Sequence, residues 1–312
     1  MAGLESGTLW SIILAGGEGM RLRPLVERIH ADGRPKQFAV LVGSKSLLRH
    51  TLDRSARLVP PERTVVVTTR SHESFFAGEL WGEVPPRVLV QPSDRGTAAG
   101  VLLPAHRIAR IDPDAYAIVL PSDHYVGDDA VFMTHVERLA AAAYRHPMRI
   151  LLAGARPDGP DTGYGWIQPG VPLEKAPAGG LNRIDRFLEK PTEEAARACM
   201  ARGGLWNTFV MAARVRTLIE AGRRALPRLH ERLARIGDRD GPSEQLGIDN
   251  AYRLAPPENF SHSVLAALPG WLAVSPLPEM VWSDWGTPDR VLETLRREGL
   301  APEWMRRLAT TA

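Results

Sequence analysis

Apolar runs and helical stripes alternate along most of the chain. Residues 10–15 (WSIILA) are almost continuously apolar and predict a strand. Across residues 45–58, Leu47, Leu48, Leu52 and Ala56 recur on one helical face and predict an amphipathic helix. The β-branched run TVVVTT at 64–69 marks another apolar segment, and residues 116–121 read as a strand. Residues 97–110 have a helical pattern, and so do 129–145, where Phe132, Val136, Leu139 and Ala143 form the stripe. Residues 149–155 are apolar again. Strands separated by helices of this size imply βαβ units and a mainly parallel sheet. The uninterrupted AIVL at 117–120 suits a sheet covered on both faces.

After residue 155 the texture changes. Gly, Pro and short alternating segments dominate as far as residue 214, including PDTGYGWIQPG and IDRFLEK. They predict antiparallel or mixed sheet inserted after the parallel half. Helical patterns return at 215–236, and 289–298 and 302–308 predict a closing helical tail. No Pro/Ser-rich linker and no internal repeat is visible. The expected organisation is one α/β domain over 1–290 with a β-rich insertion, followed by a short helical tail at 291–312 that is no separate domain.

Composition narrows the class. The 312 residues are 44% hydrophobic and 24% charged, which excludes disorder as the main state. The single cysteine, Cys199, excludes a disulfide framework and a cysteine-based zinc cluster. Apolar stretches such as 263–275 are broken by Pro269 and Gly270, so no membrane span and no membrane partner are expected. The opening MAGLESGTLW lacks a basic stretch followed by an apolar one, so no signal peptide is expected. Together these features lead to the expectation of a soluble protein of a reducing cytoplasm. The net charge of +3 comes from 39 basic and 36 acidic side chains, with no like-charge run and no nucleic-acid motif, so no nucleic acid is expected as partner. A local basic pocket for a small polyanion fits the same balance.

Five segments carry candidate chemistry. LAGGEGMRLRP at 14–24 follows a strand, so its loop lies at a carboxyl edge where α/β ligands bind. It is neither a dinucleotide fingerprint, since Leu22 replaces the third glycine, nor a P-loop, since no Gly-Lys-Ser/Thr follows. Pro24 biases Arg23 toward extended backbone, so the loop is not expected to run straight into a helix. What remains is a glycine loop ending in a guanidinium, suited to a triphosphate or serving only as a tight turn. RPKQF at 34–38 offers Lys36, a phosphate contact or a surface lysine. LPSDH at 120–124 ends a buried strand; Asp123 there suits Mg²⁺ on a nucleotide or a turn. His124 reads as a hydrogen-bonding neighbour rather than a base. FLEKP at 187–191 ends a strand, where a carboxylate can meet sugar hydroxyls and an ammonium a phosphate. WSDWGTP at 282–288 supplies Asp284 before a helix, as a second acid or as part of an N-terminal cap.

Taken in order, LAGGEGMRLRP, RPKQF, QPSDRGTA, LPSDH, GYGWI, FLEKP and WSDWGT resemble the sugar-1-phosphate nucleotidyltransferases, most closely the mannose-1-phosphate guanylyltransferases. The resemblance covers roughly residues 10–290. It implies a Rossmann-like, GT-A-like mixed and mainly parallel sheet flanked by helices, with a β-rich sugar-binding insertion. It implies that Ala15, Gly16, Gly17 and Gly19 cradle the nucleotide and that Arg21 meets the triphosphate. Lys36 would neutralise phosphates during transfer. Gln91, Gly96 and Thr97 would lie along base and ribose. Asp123 and Asp284 would bind Mg²⁺, the implied cofactor. Gly163, Glu189 and Asn207 would contact the sugar, and Lys190 its phosphate. The implied substrates are GTP and mannose-1-phosphate; self-association is left open.

The substrates themselves explain the residue types. A sugar-1-phosphate is already an ionised nucleophile, so no general base is required, and the protein positions two anions and screens their repulsion. No Cys-His pair, HExxH or GxSxG supports a hydrolase. Three departures from the family pattern stand out. Met20 replaces a usual Thr or Ser in the loop. Trp206-Asn207-Thr208-Phe209 stands where many members have Asn-Ser-Gly, so Phe209 is expected to narrow the sugar pocket. No stretch is expected after WSDWGT for the β-helix or cupin domain that many members carry, or for an isomerase domain. Two alternatives stay open: another hexose-1-phosphate or nucleotide, and a catalytically silent sugar-nucleotide-binding subunit.

Overall fold

The computed structural model describes residues 9–79, 85–174, 180–237 and 241–310. The chain begins with β1 (Leu9–Leu14), α1 (Arg23–His30), α2 (Leu47–Ser55), β2 (Thr64–Thr69), α3 (Glu73–Phe76) and β3 (Arg87–Gln91). It continues through α4 (Gly96–Ile111), β4 (Tyr116–Pro121), β5 (Tyr125–Val126), α5 (Asp129–Arg145) and β6 (Ile150–Ala155). The second half comprises β7 (Gly165–Glu174), β8 (Leu181–Glu189), α6 (Glu193–Ala201), β9 (Leu205–Arg214), α7 (Val215–Ala225) and α8 (Pro227–Ala234). The last elements are α9 (Gly241–Arg253), β10 (Leu272–Pro276), β11 (Trp282–Ser283), α10 (Pro288–Arg297) and α11 (Glu303–Thr310).

Nine strands form one sheet in the order β3-β2-β1-β4-β9-β6-β10-β8-β7. Strands β3, β2, β1 and β4 are parallel, as the alternating pattern predicts. The Gly- and Pro-rich stretch forms the antiparallel β7 and β8, which extend this sheet rather than build a separate layer. Strand β9 then returns to the middle, antiparallel to both β4 and β6. Both faces are covered. Val119 packs into a core with α4, α7, α8 and α9, whereas Ile118 and Leu120 face a second core with α5 and α6. Each of residues 117–120 is at most 1% exposed, which explains the unbroken apolar run.

One expectation fails at the glycine loop. It does run directly into a helix, because α1 begins at Arg23 with Pro24 in its first turn. At that position the missing N–H would be unpaired in any helix, and proline's φ is already helical. That preference outweighs the bias on the preceding residue. The predicted helix at 215–236 divides into α7 and α8 at Pro227. The closing helices α10 and α11 pack on α1: Val291, Leu295 and Trp304 share a core with Leu22, Leu25 and Val26. The Trp304 indole also donates to the Leu41 carbonyl at 2.9 Å. Among the described residues no helix is long and apolar enough to cross a membrane.

Candidate active site

The glycine loop leaves β1 at the carboxyl edge of the parallel strands. Its carbonyls are fixed from behind: the Gln37 amide donates to the carbonyls of Ala15 and Gly17, each at 2.9 Å. The Ala15 N–H is spent on the Val67 carbonyl at 2.8 Å. The amides of residues 16–21 have no intramolecular acceptor among the described residues, so they form a row of donors available to an anion. Two glycines are required by space. Gly19 has φ +61, and a Cβ there would lie 3.0 Å from Lys36 Cβ; a Cβ on Gly16 would lie 2.8 Å from Gln91 Nε2. Met20 is 59% exposed, so it fills no space within the loop.

Two carboxylates, 161 positions apart in sequence, meet beside this loop because of a small second sheet. Ser283 of β11 pairs with Tyr125 of β5, which brings Asp284 alongside His124 and Asp123. The Lys36 ammonium joins them, 2.9 Å from Asp123 Oδ2 and 2.5 Å from the Asp284 carbonyl, with the Trp285 carbonyl at 3.3 Å. Lys36 is buried, so its three protons are all committed to these partners. Burial pushes the Asp123 carboxyl up, but the Lys36 ammonium, with His124, outweighs it and holds the group below its ordinary value. Burial likewise opposes ionisation of Asp284, and Arg290, then Lys36 and His124, reverse it. His124 itself is held below its ordinary value, chiefly by burial. Among the described residues no three His, Cys, Asp or Glu side chains are gathered for a metal. A cation at Asp123 and Asp284 would therefore draw its other ligands from water and substrate phosphates.

A second layer surrounds Asp284. Its Oδ1 accepts from the Tyr164 hydroxyl at 2.9 Å and the Gly286 amide at 3.0 Å. Arg290 Nη1 spans both oxygens at 2.8 and 3.0 Å, while Nη2 bonds Asp161. Arg21, largely exposed, lies 3.6 Å from Asp284 Oδ2. Gly163 and Gly286 are the floor of this group: a Cβ on Gly163 would crowd Arg290 and Asp161, and one on Gly286 would crowd Asp284, Arg21 and Arg290.

The proposed sugar residues form a separate cluster at the ends of β7, β8 and β9. A Cβ on Gly165 would lie 2.9 Å from Glu189 Oε2 and 3.3 Å from Asn207 Cβ, so Gly165, rather than Gly163, adjoins this pair. The Asn207 amide reaches Ser261 Oγ at 3.4 Å. Glu189 has its carboxyl raised by burial, against the opposing pull of Lys190 and His262. Lys190 itself is exposed. Phe209 sits at φ +59 and turns its ring edge-on to Phe260, 6.1 Å away, packing against the core.

Gln91 is buried between the loop and α9, accepting from the Tyr252 hydroxyl at 2.8 Å. Gly96 and Thr97 begin α4. Gly96 has φ +78 and lies against the Glu258 backbone, and Thr97 Oγ1 accepts from the Phe260 amide at 2.9 Å. The structure thus brings Ala15, Gly16, Gly17, Gly19, Arg21, Lys36, Asp123, Gly163 and Asp284 into one connected group. Gln91 flanks its loop, and Glu189, Lys190 and Asn207 form the neighbouring cluster. Sequence reading did not single out the side chains of Gln37, Asp161, Tyr164, Tyr252 or Arg290, and it reached Gly165 only as part of a 163–165 backbone contact to the sugar. Gln37, Tyr164 and Gly165 lie inside recognised motifs, a signal that was available.

A glycine loop at the edge of a parallel sheet, with paired acids and a buried lysine, is the arrangement expected of a nucleotidyl transferase. Residues 10–298 match the nucleotidyl transferase family, and the chain belongs to it. It is similar to the xanthan biosynthesis protein XanB of Xanthomonas campestris pv. campestris, at 32% identity over 294 residues, covering 92% of this chain and 60% of that protein. It is 28% identical to a mannose-1-phosphate guanylyltransferase of Escherichia coli over 296 residues, covering 93% and 61%. A crystal structure described as mannose-1-phosphate geranyltransferase from Thermus thermophilus superposes with a TM-score of 0.77 at 32% identity, covering 89% of this chain and 76% of that one. The chain spans about three fifths of the length of these curated relatives.

Proposed function

We propose that this chain transfers a guanylyl group from GTP to mannose-1-phosphate, giving GDP-mannose and pyrophosphate. The observation that carries the reading is the meeting of Asp123, Lys36 and Asp284 beside a loop whose amides are unspent. Family membership supports the reaction class. The mannose and guanine choices are supported by a relative named for that reaction and by the PKQF and QPSDRGTA motifs.

In this reading the loop amides and Arg21 bind the triphosphate, and Gln91, Gly96 and Thr97 lie along base and ribose. Lys190 binds the sugar phosphate; Glu189 and Asn207 accept and donate to sugar hydroxyls over Gly165. Gly163 keeps the guanidinium side open. An oxygen of the sugar phosphate attacks the α-phosphorus, a new P–O bond forms, and the bond to the β-phosphate breaks to release pyrophosphate. The nucleophile is already ionised, so the step requires no general base. Lys36 moves from Asp123 toward the phosphates as their charge develops. Asp123 and Asp284 fit a magnesium ion: both carboxyls are held below their ordinary values, and a cation, the Lys36 ammonium, already bridges the Asp123 carboxylate and the Asp284 main-chain carbonyl. When bound, Mg²⁺ supplies Lewis-acid stabilisation of the phosphate oxygens.

A pyrophosphate-release assay with GTP, ATP, UTP and dTTP against mannose- and glucose-1-phosphate tests the proposal. GTP is expected to exceed ATP by orders of magnitude, because a base-reading site leaves its own polar groups unpaired with the wrong base. The two sugars differ in one hydroxyl orientation, worth about 0.5–1.5 kcal/mol, so partial activity with glucose-1-phosphate is expected. Faster turnover with UTP or dTTP, or with glucose-1-phosphate, overturns the substrate pair but not the reaction class. No pyrophosphate from any pair favours a catalytically silent binding subunit.

A further inference from the structure

Arg290 lies on α10, outside every motif that the sequence singles out, yet it is the most heavily bonded cation around Asp284. Its Nη1 spans both carboxylate oxygens at 2.8 and 3.0 Å. Its Nη2 bonds Asp161, whose other oxygen accepts the Gly163 amide at 2.7 Å. Its guanidinium lies 4.1 Å from the centroid of the Tyr164 ring, and that ring stacks on Trp206 at 4.3 Å. The Tyr164 hydroxyl bonds the same Asp284 oxygen at 2.9 Å. The side chain is 14% exposed. Its fork is therefore held by three partners, Asp284, Asp161 and the Tyr164 ring, and cannot swing without breaking a carboxylate bond.

We propose that Arg290 is a positioning residue that fixes the orientation of the Asp284 carboxylate and limits its affinity for a divalent cation until substrate phosphates arrive. The inference rests on reading Asp123 and Asp284 as the carboxylates that hold the metal. The charge balance leads to it. Asp123, Asp161 and Asp284 face Lys36, Arg21 and Arg290, so the cluster is neutral without ligand. A divalent cation alone leaves a surplus of positive charge, which a bound triphosphate cancels. Removing Arg290 makes the cluster anionic. Cation binding then strengthens, while the carboxylate loses the bidentate contact that aims it. Affinity and turnover should move in opposite directions, which a simple loss of structure does not produce.

The probe is Mn²⁺ alone, titrated into the nucleotide-free protein and followed by the electron paramagnetic resonance of the free ion. Arg290→Met should bind Mn²⁺ roughly tenfold more tightly or better, on the scale of one partly screened charge. Its kcat should fall on the order of a hundredfold. Arg290→Lys keeps the charge without the fork, so Mn²⁺ affinity should stay near wild type while kcat still falls. Asp161→Asn leaves Arg290 to Asp284 alone and should weaken Mn²⁺ binding. Thermal unfolding of each variant identifies one that has failed to fold, in which case Arg290→Lys and Asp161→Asn carry the test. Weaker or unchanged Mn²⁺ binding in a folded Arg290→Met protein overturns the inference. The metal reading fails separately: if Asp284→Asn leaves wild-type Mn²⁺ binding intact, both fall together.

Discussion

Replacing Lys36 with methionine separates what this residue holds together from what it does to a substrate. Methionine matches the length of the buried stem and removes only the ammonium. Three acceptors then lose a donor: Asp123 Oδ2 at 2.9 Å, the Asp284 carbonyl at 2.5 Å and the Trp285 carbonyl at 3.3 Å. A buried acceptor left unpaired costs about 1–3 kcal/mol. The Asp123 side chain is 36% exposed, so water takes part of the lost contact. The expected loss of stability is about 2–4 kcal/mol, close to the lower range for breaking a buried pair. For a chain of this size that lowers Tm by roughly 4–8 °C. Turnover should fall about 30- to 1000-fold in kcat/KM, the loss of a charge-assisted contact made mainly in the transition state. Differential scanning calorimetry and the pyrophosphate-release assay on one preparation read both quantities. Unchanged Tm refutes the intramolecular bonds, and kcat/KM within threefold of wild type refutes any role beyond structure.

Three further expectations follow from the same geometry. Lys190→Ala should raise KM for the sugar phosphate more than for GTP; the reverse pattern in initial-rate kinetics would exchange the proposed partners of Lys36 and Lys190. Asp123→Asn should abolish turnover at saturating Mg²⁺ while circular dichroism stays native, and near wild-type rates would remove Asp123 from the proposed ligand set. The third concerns acid stability. Burial, with His230 and Arg110, pushes His106 down to about 4, and the His106 and His230 rings stand 5.1 Å apart. A histidine depressed in the folded state takes up its proton first in the unfolded chain, so it costs stability as pH falls from about 6.5 toward 4. Urea midpoints at pH 7.5 and 5 should show that loss, and His106→Leu should make it about 1–2 kcal/mol smaller.

Elements were legible where an apolar pattern had sharp polar borders. Residues 64–69, 116–121 and 129–145 match the observed elements to the residue. Helix α9 was not legible: GPSEQLGIDNAYR opens with Gly-Pro and has few apolar positions to set a period. Its Tyr252 reaches Gln91, 161 positions away, and nothing local in either segment encodes that contact. Helix α1 was obscured by two opposed rules for Pro24, one of which had to be chosen without its context. Among the candidate residues, Asp123, Glu189, Lys190 and Asp284 stood out because each closes a strand in a short motif, and Lys36 because Pro35 precedes it in another. Arg290 was hidden because α10 read as a closing tail, although, in the first turn of that helix, it follows Asp284 by only six positions and bonds it directly. The cluster of Glu189 and Asn207 could be grouped from sequence but its glycine could not, since Gly163 and Gly165 differ only in what lies beneath them.

A strained backbone adjoins the same residues. Among the described residues four non-glycine positions have positive φ: Ala31, Lys190, Phe209 and Trp285. Ala31 closes α1; the other three lie within two positions of Glu189, Asn207 and Asp284. At Trp285, φ of 44 turns the chain so that the 284 and 285 carbonyls both face Lys36 while the indole stacks on Tyr125 at 4.8 Å. A left-handed residue with a Cβ costs about 1–2 kcal/mol, whereas burying a ring of this size gains more. The indole, fully buried, therefore holds open a turn that its own backbone disfavours. Truncation exposes the strain. Trp285→Ala should lose about 3–5 kcal/mol of packing and keep the left-handed penalty. Trp285→Gly should lose the same packing and shed that penalty, so the glycine variant should be the more stable of the two by up to about 1 kcal/mol, the reverse of the usual order. Both should lose turnover, since nothing then anchors the Asp284 carbonyl against Lys36. Urea unfolding of the two variants decides the point, and an alanine variant as stable as the glycine one would mean that no strain is stored beside Asp284.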